Sequence, residues 1–273
     1  MKIAITGSSG SVGKAIVKMA QEQGHELLCV DRVKPHDDSL HSLQIDLADY
    51  DAAVNAFKGY DAVIHMAAIP APGGHPDHVV HNNNVVTSYN VLRAAVEVGI
   101  TRVCQASSVN ATGLGFSRWP HFDYFPLDER HPTYNEDPYS LSKWICEQQG
   151  DSFARRYENM IISSMRFHGV FPDRKTAVDA KTYSQTPAAV KNLWAYTGSD
   201  AAARACLLAL TADFKGHEVF YIVAPDTITE IPSLELKQKH YPDVEIRGDL
   251  SGMNSFFDSS KAERLLGWKH DSK

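Results

Sequence analysis

Short apolar runs alternate with amphipathic stretches through the first two-thirds of the chain, the pattern of a parallel sheet joined by crossover helices. Candidate strands fall at residues 2–6, 26–30, 43–45, 62–66, 102–106 and 160–166, and helices begin near Ser11, Asp49, Val79 and Tyr139. In the Val79 segment, Val85, Tyr89, Leu92, Ala95 and Val96 keep an apolar stripe near the 3.6-residue period. After Pro172 the rhythm changes. Residues 200–210, 233–240 and 259–266 read as helices, the last ending at a Gly267 cap, and residues 218–223 read as a strand. The pattern predicts an α/β protein: a doubly wound parallel sheet over residues 1–172, with a small C-terminal substrate-covering lobe, residues 173–273, packed on it.

Composition narrows this little but excludes much. The 273 residues, 43% hydrophobic and 22% charged, suit a globular enzyme with a large core. A net charge of -6 with interspersed signs argues against nucleic acid as a partner. No apolar run approaches the roughly 18–20 residues of a membrane span. Met1 leads straight into the first strand, so neither a signal peptide nor a membrane is expected. Cys29, Cys104, Cys146 and Cys206 lack ligand spacing and read as reduced core residues of a cytoplasmic protein. His75, His78 and His81 have no carboxylate or thiolate partner at ligand spacing, so no metal is expected.

The junction of the first strand and helix carries the first chemistry. Gly7, Gly10 and Gly13, with Ser9, Ser11 and Val12 between them, form a loop whose main-chain N–H groups can receive a pyrophosphate at a helix N-terminus. Asp31 ends the second strand, where a carboxylate accepts both ribose hydroxyls of an adenosine and repels a 2′-phosphate. That predicts NAD, with Arg32 leaving NADP or dual use open. Asp46 and Leu47 follow the third strand, where they can flank an adenine. Met66, Ala67 and Ala68 end the fourth, where small residues admit a ribose and nicotinamide.

Tyr139 and Lys143 stand four residues apart on a helix and so share a face. A tyrosine with a pKa near 10 is a poor base at neutral pH, and an adjacent ammonium stabilises its phenolate. Ser108, after the fifth strand, can hydrogen-bond the reacting oxygen.

In this order the motifs resemble the extended short-chain dehydrogenase/reductase family, the group of NAD-dependent epimerases and dehydratases. The matching pieces are Thr6-Gly7-x-x-Gly10-x-x-Gly13, Asp46-Leu47, His65-x-Ala67-Ala68, Asn84 with Asn90-Val91-Leu92, Ala106-Ser107-Ser108, Pro138-Tyr139-x-x-x-Lys143, and Arg166 through Gly169 to Pro172. The resemblance implies a Rossmann fold and a homodimer through the helices near residues 79–98 and 139–157. It implies Tyr139 as acid/base, Lys143 as its modulator and ribose ligand, and Ser108 as partner of the substrate oxygen. Asn84 and Ala106 become structural or cofactor-side residues, and His168 and Val170 backbone neighbours of the carboxamide.

Family members acting on nucleotide sugars usually carry a long segment after the sixth strand. Here Pro172 is followed quickly by 200–204, a compactness similar to uronate dehydrogenases. Their Ser-Asn-His is here Ser108-Val109-Asn110, so the substrate does not carry over. Ile69, Val109, Asn110 and Trp119 are candidate substrate contacts. Trp119 belongs to an aromatic loop, 115–126, that either closes over a sugar or packs on the surface. Arg174 and Lys175 either meet an anionic substrate group or are surface charges. The expectation is an NAD-dependent oxidoreductase acting on a secondary alcohol, lactol or ketone of a small carbohydrate-like substrate. The alternatives are a sugar epimerase or dehydratase, and a non-catalytic redox sensor.

Overall fold

The structure, a computed structural model, describes residues 1–33, 39–180 and 187–270. Seven strands form one sheet: β1 (Lys2–Thr6), β2 (Glu26–Asp31), β3 (Ser42–Gln44), β4 (Ala62–His65), β5 (Arg102–Ser108), β6 (Ile161–Phe167) and β7 (Gly216–Ile222). All pairings are parallel, and the order is β7-β6-β5-β4-β1-β2-β3. The direction of winding reverses between β1 and β4, so the loops leaving their C-terminal ends diverge and open a crevice.

Alternation along β1 separates the layers. Ile3 and Ile5 face one side with helix α1 (Ser11–Glu22), and Ala4 faces the other. The Ala4 side is covered by α2 (Tyr50–Phe57), α3 (Asp77–Glu97) and α4 (Pro138–Arg156), through Phe57, Leu92 and Phe153. The Ile3 side is covered by α1 and α5 (Ser199–Ala209), with α7 (Ser260–Leu266) and the buried Trp268 closing it. α6 (Ser233–His240) lies in a separate cluster of Phe122, Phe125, Trp194, Tyr221, Leu236 and Phe256, which forms the lobe.

The expected boundary at 172/173 does not separate these layers. Of residues 218–223, read as part of the lobe, all but Val223 belong to β7, which pairs in parallel with all of β6. α5 packs on α1 in the main core. The exposed edge of β6 offers a full row of backbone donors and acceptors, and a strand from the tail satisfies them. The lobe is built from residues on both sides of Pro172, since Leu114, Phe122 and Phe125 join Trp194 and Phe256.

Local chemistry sets the helix starts that matter. Asp137 caps α4, accepting from Tyr139 N at 3.0 Å and Ser140 N at 2.9 Å, with Pro138 in the first turn; such caps contribute about 1 kcal/mol. α1 begins after Gly10 with no side-chain cap. Its first N–H groups remain open to a ligand.

Candidate active site

The crevice holds two adjoining chambers. The first, about 290 Å³, is lined by Gly7, Ser9, Gly10, Asp31, Arg32, Ile45, Asp46, Leu47, Met66, Ala67 and Ala68, with Val33, Asn83 and Thr87. The second, about 270 Å³, is lined by Ser11, Val12, Met66, Ala68, Ala106, Ser108, Asn110, Tyr139, Lys143, His168 and Val170, with Pro70, Ser107, Phe116, Phe167 and Gly169. Met66 and Ala68 belong to both, so the chambers form one groove.

The glycine loop is glycine for steric reasons. A Cβ on Gly7, whose φ is +67°, would lie 2.5 Å from Ala67 N, and one on Gly13 would lie 2.1 Å from Gly7 O. Gly13 therefore seats α1 against the loop and does not itself line the groove. Asp31 is fixed by Ser9 N, which donates to Oδ2 at 2.9 Å, and by Val33 N, which donates to Oδ1 at 3.1 Å. Asn90 Nδ2 holds the turn after β3, donating to Leu47 O at 2.9 Å and Ala48 O at 3.0 Å.

In the second chamber Lys143 is buried, and its Nζ donates to Ala106 O at 2.8 Å and lies 5.9 Å from the Tyr139 ring centroid. Burial pushes the Lys143 amine below its usual range, opposed by Cys146 and Glu147. Ser108 Oγ accepts from Asn110 N at 3.1 Å. Asn110 lines the chamber, and its Oδ1 is buried without a protein hydrogen-bond partner. Two histidines flank the chamber as neutral groups. Burial, aided by Lys143, lowers His65 to about 3, and its Nδ1 pairs with Thr6 Oγ1 at 2.8 Å. Burial lowers His168 to about 4; Nδ1 accepts from Gly169 N at 2.7 Å while Nε2 faces Asn192 O at 3.0 Å.

Several expected contacts lie elsewhere. Asn84 stands behind the groove wall: its Oδ1 accepts from Ile69 N at 2.8 Å, and its Nδ2 donates to Ile69 O at 3.1 Å and Ser142 Oγ at 3.0 Å. Ile69 packs with Val80 and Tyr139, and Val109 is buried in the lobe core. Trp119 is 77% exposed and does not line the chamber; Phe116 does, its ring edge-to-face with Tyr139 at a centroid distance of 5.6 Å. Arg174 is turned away, paired with Asp226 at 2.9 Å and Glu230 at 3.5 Å and donating to Thr227 O at 3.0 Å. Lys175 is exposed and pairs with Asp179. Asn83 and Thr87 escaped sequence reasoning, although they sit beside Asn84 on the side of α3 that meets the groove. Among the described residues no cluster of metal-ligating side chains occurs, and no helix is long and apolar enough to cross a membrane.

A short-chain dehydrogenase/reductase superfamily protein from Agrobacterium tumefaciens, solved with bound NAD, superposes with a TM-score of 0.75 at 21% identity, covering 100% of this chain and 93% of that one. L-arabinose 1-dehydrogenase (NAD(P)(+)) of Haloferax volcanii is 36% identical over 162 residues, 57% of this chain and 62% of that protein. The 2-alkyl-3-oxoalkanoate reductase of Stenotrophomonas maltophilia is 32% identical over 162 residues, 55% of this chain and 45% of that protein. The chain thus spans about half to three-fifths of the length of these curated relatives. The sequence profile of the NAD dependent epimerase/dehydratase family matches residues 3–224, and the chain belongs to that family.

Proposed function

We propose that this chain is an NAD-dependent oxidoreductase that moves hydride between the nicotinamide and a secondary alcohol, lactol or ketone carbon of a small carbohydrate-like substrate. The observation that carries the reading is the groove itself, with Asp31 in one chamber, Ser108, Tyr139 and Lys143 in the other, and the glycine loop and uncapped N-terminus of α1 between them.

The residues fit NAD. The glycine cradle leaves no room for a Cβ where the loop meets Ala67, and the open N–H groups of α1 suit a pyrophosphate. Asp31, Arg32, Asp46 and Leu47 would hold the adenosine half, and Ala68, Ala106, Lys143, His168 and Val170 the nicotinamide half. When bound, NAD supplies the hydride acceptor. Tyr139 takes the hydroxyl proton of the substrate in oxidation and returns it in reduction, as a phenol/phenolate beside the Lys143 ammonium. Ser108 holds the reacting oxygen. Ala106 O accepts from the Lys143 ammonium and fixes its position in the chamber.

The end of the substrate that enters is uncharged. Lys143 is the one charged cation among the described residues that line the second chamber, His168 is held neutral, and Arg174 is committed to Asp226. Asn110 Oδ1 asks for a hydroxyl donor, and Phe116 offers an apolar edge. Val86, Tyr89 and Leu141, exposed on α3 and α4, support a homodimer through those helices. The test is incubation with NAD and a panel of neutral sugars, sugar acids and sugar nucleotides. NADH accumulation, read by absorbance, supports the dehydrogenase; sugar interconversion without net NADH replaces it with an epimerase.

A further inference from the structure

Three consecutive residues of β5, those just before Ser108, are each tied to α4. Gln105 Nε2 donates to Cys146 O at 2.9 Å, Ala106 O accepts from Lys143 Nζ at 2.8 Å, and Ser107 Oγ donates to Glu147 Oε1 at 2.5 Å. Glu147 is the centre of this stitching. Its carboxylate also receives Arg166 of β6, Nε to Oε1 and Nη2 to Oε2, both at 2.8 Å. Arg166 stands opposite Ser107 in the sheet register. The pair is closed to solvent, with side-chain exposures of 6% and 2%. A buried ion pair is a poor way to stabilise a fold, because well-packed apolar residues of similar volume often serve as well or better. Its position offers the better reason: Glu147 follows Lys143 by four residues, on the same helical face.

We propose that the Glu147–Arg166 pair is a positioning device for the reaction, setting the register of Ser108 against Tyr139 and Lys143 and keeping a fixed negative charge one helical turn from the Lys143 ammonium. This rests on the hydride-transfer reading above. The charged and titratable groups around Lys143 leave this role to Glu147. β4 presents His65 and the far wall His168, both neutral. α3 presents Asn84 to α4 and Ser88 to Gln105, both uncharged. From α4 itself come Tyr139, Cys146, whose thiol burial pushes up, and Glu147, while the charge on β6 is Arg166, already bound to Glu147.

The test uses Glu147→Gln, which keeps shape and removes charge, and the double variant Glu147→Gln/Arg166→Met, which removes both charges. Wild type and variants are compared in kcat, KM, NAD affinity, melting temperature and pH profile. Loss of the anion weakens the charged form of Lys143, so the alkaline limb of kcat moves down, by about one pH unit. Misregister of Ser108 lowers kcat roughly ten-fold or more, with NAD affinity within about three-fold of wild type. The double variant recovers melting temperature without recovering the profile, and it decides the matter if Glu147→Gln alone fails to fold. Wild-type kcat and profile in either folded variant overturns the proposal. A wild type inert toward every substrate counts against hydride transfer instead. The ¹⁵Nζ titration of Lys143 in the NAD-bound proteins then judges the pair: a lower midpoint in the variant supports it, and an equal one overturns it.

Discussion

Substituting Gly13 by alanine isolates what the loop glycines do. An alanine in a helix interior is ordinarily worth about 0.5–1 kcal/mol more than glycine. Here the new Cβ would stand 2.1 Å from Gly7 O, 2.8 Å from Ser8 Cα and 2.9 Å from Gly7 C, more than 1 Å inside the 3.4 Å at which ordinary contact begins for the first of these. All three atoms are backbone, so no side chain can rotate away. Either α1 must withdraw or the Gly7–Gly10 turn must open. Overpacking of this kind costs about 1–3 kcal/mol, enough to cancel the propensity gain and leave the chain less stable by up to about 2 kcal/mol. At about 2–4 °C per kcal/mol, the melting temperature falls by several degrees. Gly24→Ala is the control. Gly24 has φ +74° with nothing within 4 Å of the added carbon, so that change costs backbone strain of about 1–2 kcal/mol far from the groove. Both variants melt earlier, but calorimetric titration with NAD separates them: affinity falls ten-fold or more for Gly13→Ala and is unchanged for Gly24→Ala. A Gly13→Ala protein that binds NAD like the wild type would refute the steric account of the loop and the pyrophosphate site built on it.

Three further outcomes follow from the groove. Tyr139→Phe keeps the ring packed against Ile69, Val80 and Phe116 but removes the proton carrier. kcat therefore drops about 10²–10⁴-fold while NAD affinity and melting temperature hold, and substantial residual turnover would sink the mechanism. Asp31→Ala frees the Ser9 and Val33 N–H groups and removes the ribose acceptor, so NAD binding weakens and discrimination against NADP relaxes; an unchanged NAD/NADP ratio would reject the role. For pH, the folded chain holds His65 at about 3 and His168 at about 4, against 6.5 for the unfolded imidazole. The unfolded state then binds up to two more protons below pH 6.5. This contribution is complete above 6.5 and is lost as pH falls toward 4, with a slope of about 1.4 kcal/mol per proton per pH unit. Urea midpoints measured from pH 7 to 4.5 should fall steeply, and the fall should flatten in His65→Gln and His168→Gln; equal slopes in variants and wild type would contradict it.

What could be read in advance was whatever short-range pattern encodes. The six expected strands and four helix starts of the first two-thirds lie within two residues of where the structure has them, because apolar runs, Asp49, Asp137, Pro138 and the glycines act within a turn or two of chain. The line from Gly7 through Asp31 to Tyr139 and Lys143 was legible for the same reason: each is a local motif, and a doubly wound sheet brings the ends of its strands together whatever the loops contain. Long-range packing was not legible. Nothing within 218–223 says that this strand extends β6 instead of belonging to the lobe; the partner edge alone decides it. The aromatic loop makes the same point more sharply. Phe116 and Trp119 are three residues apart and of similar character, yet one lies against Tyr139 and the other is out in solvent. The turn between them is held by Lys191 Nζ, which donates to Ser117 O at 2.8 Å and Arg118 O at 3.1 Å, and by the Glu136 carboxylate on Arg118 N. Lys191 lies over 70 residues away in sequence, so no window on the loop contains the reason that Phe116, and not Trp119, lines the second chamber.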